Sequence, residues 1–311
     1  MKLAVIDCGT NTFNLLILDI KNLKVQSKLL STRQSVKLGQ GSINNGFISQ
    51  PAMNRALEAI GEFNKHIKKL KVDKIIAYAT SAVREAANGH EFIDQVNKKY
   101  QISIQVIDGL TEANLIYEGV KNAVSLNKNV SLIMDIGGGS VEFILAQNHE
   151  IIWKESFKIG AARILEIFKP SNPIKQKEIK AINQYFKNKL QNLFDAVKLY
   201  RPKELIGSSG AFESFMELLA EQQLCEPLCD SKTEYNINTQ HYFTMADALI
   251  KSSAEERTNM KGLVPMRVDM IVISCLMVNF ILNQFKLNQM RVSTYALKEG
   301  ALYNFLNNNN F

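Results

Sequence analysis

Val5-Ile6-Asp7-Cys8-Gly9-Thr10-Asn11-Thr12-Phe13 and Ile133-Met134-Asp135-Ile136-Gly137-Gly138-Gly139-Ser140-Val141 align without a gap, the second lying 128 residues after the first. Asp7 matches Asp135, Gly9 matches Gly137, and Thr12 matches Ser140. Each Asp stands near the end of an apolar run, a polar turn follows, and a second apolar run begins (13–20 and 141–146). Apolar runs joined by Gly, Asn, Thr or Ser read as β-hairpins with polar tips. A hairpin repeated at this distance predicts a duplicated domain. Length agrees: 311 residues, at about 150 per domain, give two.

Working outward, 25–30 and 35–38 extend the first sheet and 39–46 is a glycine-containing loop. Ser49 and Pro51 start a helix over 52–70. A strand at 74–79, a helix at 91–100, a strand at 102–107 and a helix at 111–123 follow. Beyond the second hairpin come a strand (151–157), a helix (161–168) and an amphipathic stretch from Asn172-Pro173 to Tyr200. A strand (204–206), helices ending near 222, 251 and 285, a strand (291–294) and a last helix (297–306) complete the pattern. Residues 307–310 are expected to fray. Strands alternating with helices predict an α/β fold. The expected division is 1–124, completed by the C-terminal helix 297–311, and 125–296. No low-complexity linker intervenes, so the halves should meet along a cleft.

Hydrophobic residues at 46% and charged residues at 22% exclude a disordered or fibrous chain. The net charge of +7 suggests an anionic partner: nucleic acid, acidic lipid or a phosphorylated small molecule. Four cysteines are too few for a disulfide framework at this length. Cys8 and Cys275 lie in apolar runs and read as buried. Cys225 and Cys229 have no second pair to complete a zinc site. The N-terminus reaches Asp7 too soon for a signal peptide. The apolar run 270–282 spans about 20 Å as a helix, short of the roughly 30 Å hydrocarbon core. The expectation is a soluble cytoplasmic protein.

Glycine-rich turns expose backbone N–H groups that cradle phosphate oxygens, and Thr10, Thr12 and Ser140 add hydroxyls. Asp7 and Asp135 suit a hydrated Mg²⁺ that bridges phosphates. No Gly-Lys-Ser/Thr follows, which excludes a Walker A loop. The glycines join two strands, which excludes the dinucleotide fingerprint. Glu142 breaks the repeat at the position matching Asn14. It reads either as part of the phosphate site or as a solvent-facing strand position. Arg84 either holds phosphate or pairs with Glu85 on the surface. Glu112 sits where a first-turn acid compensates the helix dipole, and spacing alone favours that role. Arg267 and Asp269 read as a pair. His66, His90, His149 and His241 are scattered, which leaves a histidine mechanism unsupported.

The two glycine loops resemble the phosphate loops of the actin-like superfamily. The chain more specifically resembles the exopolyphosphatase and guanosine pentaphosphate phosphohydrolase (Ppx/GppA) family. The matching stretches are Ile6 to Phe13, Ala79-Thr80-Ser81-Ala82-Val83-Arg84-Glu85-Ala86, Thr111-Glu112-Ala113 with Ile116-Tyr117 and Gly119, Asp135 to Glu142, Gly207 to Gly210, and Val292-Ser293 with Glu299-Gly300. The resemblance implies two actin-like (ribonuclease H-like) α/β domains with the active site in the cleft. It implies that Glu112 directs the attacking water and that Asp135 and Glu142 sit at the metal and the reacting phosphate. Asp7 completes the expected Mg²⁺ set. Gly9, Thr10, Asn11, Thr12, Arg84, Gly137, Gly138, Gly139 and Ser140 are the expected phosphate-binding residues. The implied substrate is polyphosphate or guanosine pentaphosphate, with no nucleic-acid or membrane partner, and a homodimer is the assembly common among similar proteins. Cys8 and Thr10 stand where the family often has an aliphatic residue and Ser, and Ser208-Ser209-Gly210 departs from the usual Thr or Gly. The chain resembles the short, two-domain form, which bears on processivity. The alternatives are an actin-like ATP-dependent phosphotransferase and a non-catalytic polyphosphate or alarmone sensor.

Overall fold

The computed structural model describes residues 1–308. Its first half runs β1 (Lys2–Cys8), β2 (Thr12–Lys21), β3 (Lys24–Ser35), α1 (Gln50–Leu70), β4 (Lys74–Ala79), α2 (Ser81–Glu85), α3 (Gly89–Tyr100), β5 (Gln105–Val106) and α4 (Gly109–Ala123). The second runs β6 (Ser131–Ile136), β7 (Val141–Gln147), β8 (Glu150–Phe157), α5 (Ala161–Phe168), α6 (Gln176–Lys189), α7 (Gln191–Tyr200), β9 (Glu204–Ser208) and α8 (Gly210–Glu221). It closes with β10 (Glu234–Ile237), α9 (Thr239–Lys251), α10 (Ala254–Thr258), α11 (Ile271–Phe285), β11 (Met290–Ser293) and α12 (Leu297–Asn308).

The two sheets have orders β3-β2-β1-β4-β5 and β10-β11-β9-β6-β7-β8. In each, an antiparallel three-strand meander passes its first strand to a parallel partner, β1 to β4 and β6 to β9. The repeated sequence therefore sits on repeated topology. Asp7 pairs with Asn14 across the first hairpin and Asp135 with Glu142 across the second.

Strand pleat sorts the side chains onto opposite faces. Ala4, Ile6 and Cys8 face α1 and α3, whereas Leu3 and Val5 face Ala301, Leu302 and Leu306 of α12. In the second sheet Leu132, Met134, Phe143 and Leu145 face a thick helical layer that includes α11. Ile133, Ile144 and Ala146 face Ala113, Ile116, Tyr117 and Val120 of α4. Helices α4 and α12 thus lie between the sheets and pack on each other. Their approach needs glycine: a Cβ at Gly300 would lie 1.6 Å from the Leu115 carbonyl oxygen, and one at Gly119 2.2 Å from that of Ala296.

Several elements differ from the expectation. β3 is one strand from Lys24 to Ser35, and 35–38 does not continue it. At the sheet edge its outer face is solvated, so its polar residues do not interrupt it. The stretch to Tyr200 breaks at Leu190, whose φ/ψ of −101°/23° ends α6 before α7 begins. The expected strand 102–107 pairs only at Gln105–Val106. Strand β10 and helices α2 and α10 were not anticipated, being four or five residues long. Asn307 and Asn308 continue α12, whereas 309 and 310, also expected to fray, lie outside the described residues. Among the described residues no helix is long and apolar enough to cross a membrane.

Candidate active site

The alternation that buries Ile133 and Ile144 under α4 turns Asp135 and Glu142 toward the same side, where the first turn of α4 brings Glu112. Glu142 is 1% exposed, so it is not a solvent-facing strand residue. Its carboxylate accepts from Ser156 Oγ at 2.6 Å, yet burial and then the neighbouring Asp135 push its pKa up to about 7. Asp135 accepts from Ser208 Oγ at 2.6 Å, and burial still raises it. In the first copy Asn14 Nδ2 donates to Asp7 Oδ2 at 2.9 Å, and burial pushes Asp7 up to about 6. The one charged break in the repeat therefore converts a carboxylate–amide pair into a carboxylate–carboxylate pair.

Glu112 is 7% exposed. Burial, and next the charge of Glu142, raise its pKa well above the ordinary range, while Arg84 opposes them. Arg84 Nη1 lies 2.9 Å from Glu112 Oε2 and also donates to the Ile107 carbonyl at 2.8 Å. Arg84 does not pair with Glu85. Asp108 is the residue that caps α4, accepting from the Thr111 N–H at 2.6 Å. Glu112 keeps its first-turn place in α4, where an acid suits the helix dipole, and lies among the residues lining the cleft.

The two loop tips touch. A Cβ at Gly139 would lie 2.4 Å from Ser81 Oγ and 2.7 Å from Thr10 Oγ1. A cavity of about 380 Å³ opens beside them, lined by Asp7, residues 9–12, Glu112, Asp135 and residues 137–140. All but two of the expected site residues share this wall; Glu142 and Arg84 do not line it. Asn11 Nδ2 and Thr12 Oγ1 are buried without a protein hydrogen-bond partner, as donors facing a ligand would be.

Sequence reasoning gave no site role to several cavity residues, among them Arg33, Ser209, Arg267 and Lys298. Arg267 does not pair with Asp269, which instead lies 3.2 Å from Lys37. The Arg267 guanidinium rests against Gly210, with Nε buried and unpartnered. Arg33 pairs with Glu213 and Lys298 with Glu299, both at 2.9 Å. Ser209, at the turn from β9 into α8, holds φ 67° and ψ −178°, a conformation costly by about 1–3 kcal/mol for a non-glycine residue. Such strain persists where surrounding structure enforces it, here at the cavity wall. Apart from Ser209, which lies in the matching stretch Gly207 to Gly210, no local pattern marks these residues; they come from distant segments.

Among the described residues no three His, Cys, Asp or Glu side chains converge to hold one ion. Asp7, Asp135 and Glu142 therefore do not form a closed three-carboxylate cage, because Asn14, Ser208 and Ser156 each hold one of them. That donor set still fits Mg²⁺, which takes one or two carboxylates and completes its shell with water and phosphate oxygens. Burial first raises the pKa values of Asp135 and Glu142, so a cation beside them would favour their charged forms.

The family model for the Ppx/GppA phosphatase family matches residues 16–309. The chain is 24% identical over 304 residues to exopolyphosphatase 1 of Mycobacterium leprae, covering 97% of this chain and 88% of that one. The crystal structure of an exopolyphosphatase from Cytophaga hutchinsonii superposes with a TM-score of 0.96 at 38% identity, over 99% of this chain and 98% of that one. The Aquifex aeolicus Ppx/GppA family member shares the fold, with a TM-score of 0.79 at 23% identity over 100% and 99%.

Proposed function

Because this chain belongs to the Ppx/GppA phosphatase family, we propose that it hydrolyses the terminal phosphoanhydride bond of inorganic polyphosphate and of guanosine pentaphosphate. One observation carries the reading: a buried glutamate, Glu112, held by Arg84 at 2.9 Å in a cavity whose walls are two touching phosphate loops. The exopolyphosphatases that resemble it nearly end to end support the same reading.

The terminal phosphoryl group sits between the loops. Their backbone N–H groups, with Asn11 Nδ2 and Thr12 Oγ1, hold its non-bridging oxygens. Glu112 aligns a water and accepts its proton as the water oxygen bonds to phosphorus. The bond to the next phosphate breaks, and that phosphate leaves with the electron pair. Arg84 fixes the Glu112 carboxylate and favours its ionised form. Arg33, Arg267 and Lys298 offset the charge of the chain that remains. Asp135, with Glu142 and Asp7 nearby, would hold Mg²⁺, which would supply Lewis-acid stabilisation of the phosphate oxygens. Positioning and charge neutralisation make up most of the catalysis, as phosphoryl transfer requires.

Glu112→Gln tests the assignment, because Gln keeps the size and the acceptor facing Arg84. Phosphate release should fall by about 10²–10⁴-fold with the fold intact. Near-normal release would remove Glu112 from the mechanism.

A further inference from the structure

Arg163, in the first turn of α5, is 7% exposed and joins elements from both halves of the chain. Its Nε donates to the Gly139 carbonyl at 2.9 Å, within the second phosphate loop. Its Nη2 lies 3.0 Å from Glu85 Oε2, at the end of α2. Its Nη1 reaches the Ile43 carbonyl at 3.5 Å and Asn44 Oδ1 at 3.4 Å, and Asn44 Nδ2 donates back to the Arg163 carbonyl at 3.3 Å.

Glu85 is the other half of this junction. It also accepts from Ser81 Oγ at 2.8 Å and pairs with Lys158 at 3.1 Å. Burial works against its charge, but Ser81, Arg163 and Lys158 together hold the carboxyl below its usual range. Ser81 is the residue against which Gly139 is pressed, and Arg84, one residue before Glu85, holds Glu112. A single guanidinium thus bonds the loop that receives phosphate and the helix that aims the catalytic carboxylate. Loop and helix belong to opposite sides of the cleft. Separating those sides would part Arg163 from Glu85, so the pair favours the closed form.

We propose that Arg163 is a positioning residue that couples closure of the two halves to assembly of the active site, through its joint hold on Gly139 and Glu85. It acts on the reaction by fixing the distance between the second phosphate loop and the Arg84–Glu112 pair. The proposal rests on the phosphohydrolase reading of the cleft. Displacements of about 1 Å from remote positions lower rates by about 10²-fold.

The test compares wild type with Arg163→Ala, Arg163→Lys, Glu85→Gln and the Arg163→Ala/Glu85→Gln double variant. Readouts are kcat and KM for polyphosphate with Mg²⁺, and the radius of gyration with and without inorganic phosphate. Arg163→Ala should lose about 10²-fold in kcat with KM changed much less, and added guanidinium should restore part of the rate. Arg163→Lys should fall between, because one ammonium cannot serve Gly139 and Glu85 at once. The double variant should be no worse than the poorer single variant. Lys158→Ala should stay within about twofold of wild type, because the Lys158 side chain is 68% exposed. Phosphate should contract wild type but not Arg163→Ala. An Arg163→Ala protein with wild-type kcat, or single-variant losses that multiply in the double variant, would overturn the proposal. If Arg163→Ala does not fold, Glu85→Gln with unchanged kcat and unchanged contraction overturns it equally. Wild type inactive on polyphosphate would count against the functional reading, while the contraction still tests the coupling.

Discussion

Replacing the buried carboxylate Glu142 should make the protein in chelator more stable. Glu142 is 1% exposed and its pKa moves from 4.5 to about 7, chiefly through burial and then through Asp135. The folded state therefore holds a proton on Glu142 that the unfolded chain releases. Stability is lost as pH rises from about 4.5 to about 7, and the whole penalty is present above that window. At 1.36 kcal/mol per pKa unit the penalty is about 3 kcal/mol. Glu142→Gln removes the charge and keeps an acceptor for Ser156 Oγ, which stands at 2.6 Å. In chelator at pH 8, Glu142→Gln should unfold about 5 °C above wild type, given an unfolding entropy of roughly 2.1 cal/mol/K per residue. At pH 4 the difference should vanish. Scanning calorimetry at pH 4, 6 and 8 measures this directly, with phosphate release lost in the same variant. Added Mg²⁺ should raise the wild-type transition and close much of the gap, because a ligand that binds only the native state stabilises it. Equal transitions at pH 8, or a gain that does not depend on pH, would refute the claim that burial disfavours the charged form of Glu142.

Asp7→Asn should behave alike with a lower window, between 3.8 and about 6, and the same calorimetry reads it. Gly300→Ala should destabilise by about 1–3 kcal/mol or more, because its Cβ would lie 1.6 Å from the Leu115 carbonyl oxygen; denaturant unfolding measures it. Arg267→Ala should raise KM for polyphosphate by roughly tenfold or more, the value of one charge-assisted hydrogen bond, since its Nε is buried without a protein partner. An unchanged KM would place Arg267 outside the substrate's path.

The duplicated hairpins were readable because their signals are local: period-two apolar runs, a polar turn and an ungapped repeat. The same repeat placed Asp7 and Asp135 at equivalent strand ends, and the register of Asp135 with Glu142 follows from it. Other features depend on contacts that one dimension does not carry. Glu112 occupies a position that helix-end rules explain without tertiary structure, and only packing of α4 on the second sheet turns it into the cavity. Arg33, Arg267 and Lys298 come from an edge strand, a short turn before α11 and the last helix, so no spacing connects them. The expected Arg267–Asp269 pair failed for the same reason, since Lys37 from the other half takes Asp269.

The central claim is that this cleft directs water, and not another acceptor, onto a terminal phosphate. Phosphate release from long-chain polyphosphate, guanosine pentaphosphate and ATP, each with Mg²⁺ and with chelator, tests it most directly. The account predicts Mg²⁺-dependent release of single phosphates from polyphosphate and guanosine pentaphosphate, with the remaining chain one phosphate shorter, and little release from ATP. Release from none of the three, with the polyanions still bound, would contradict it and identify a sensor.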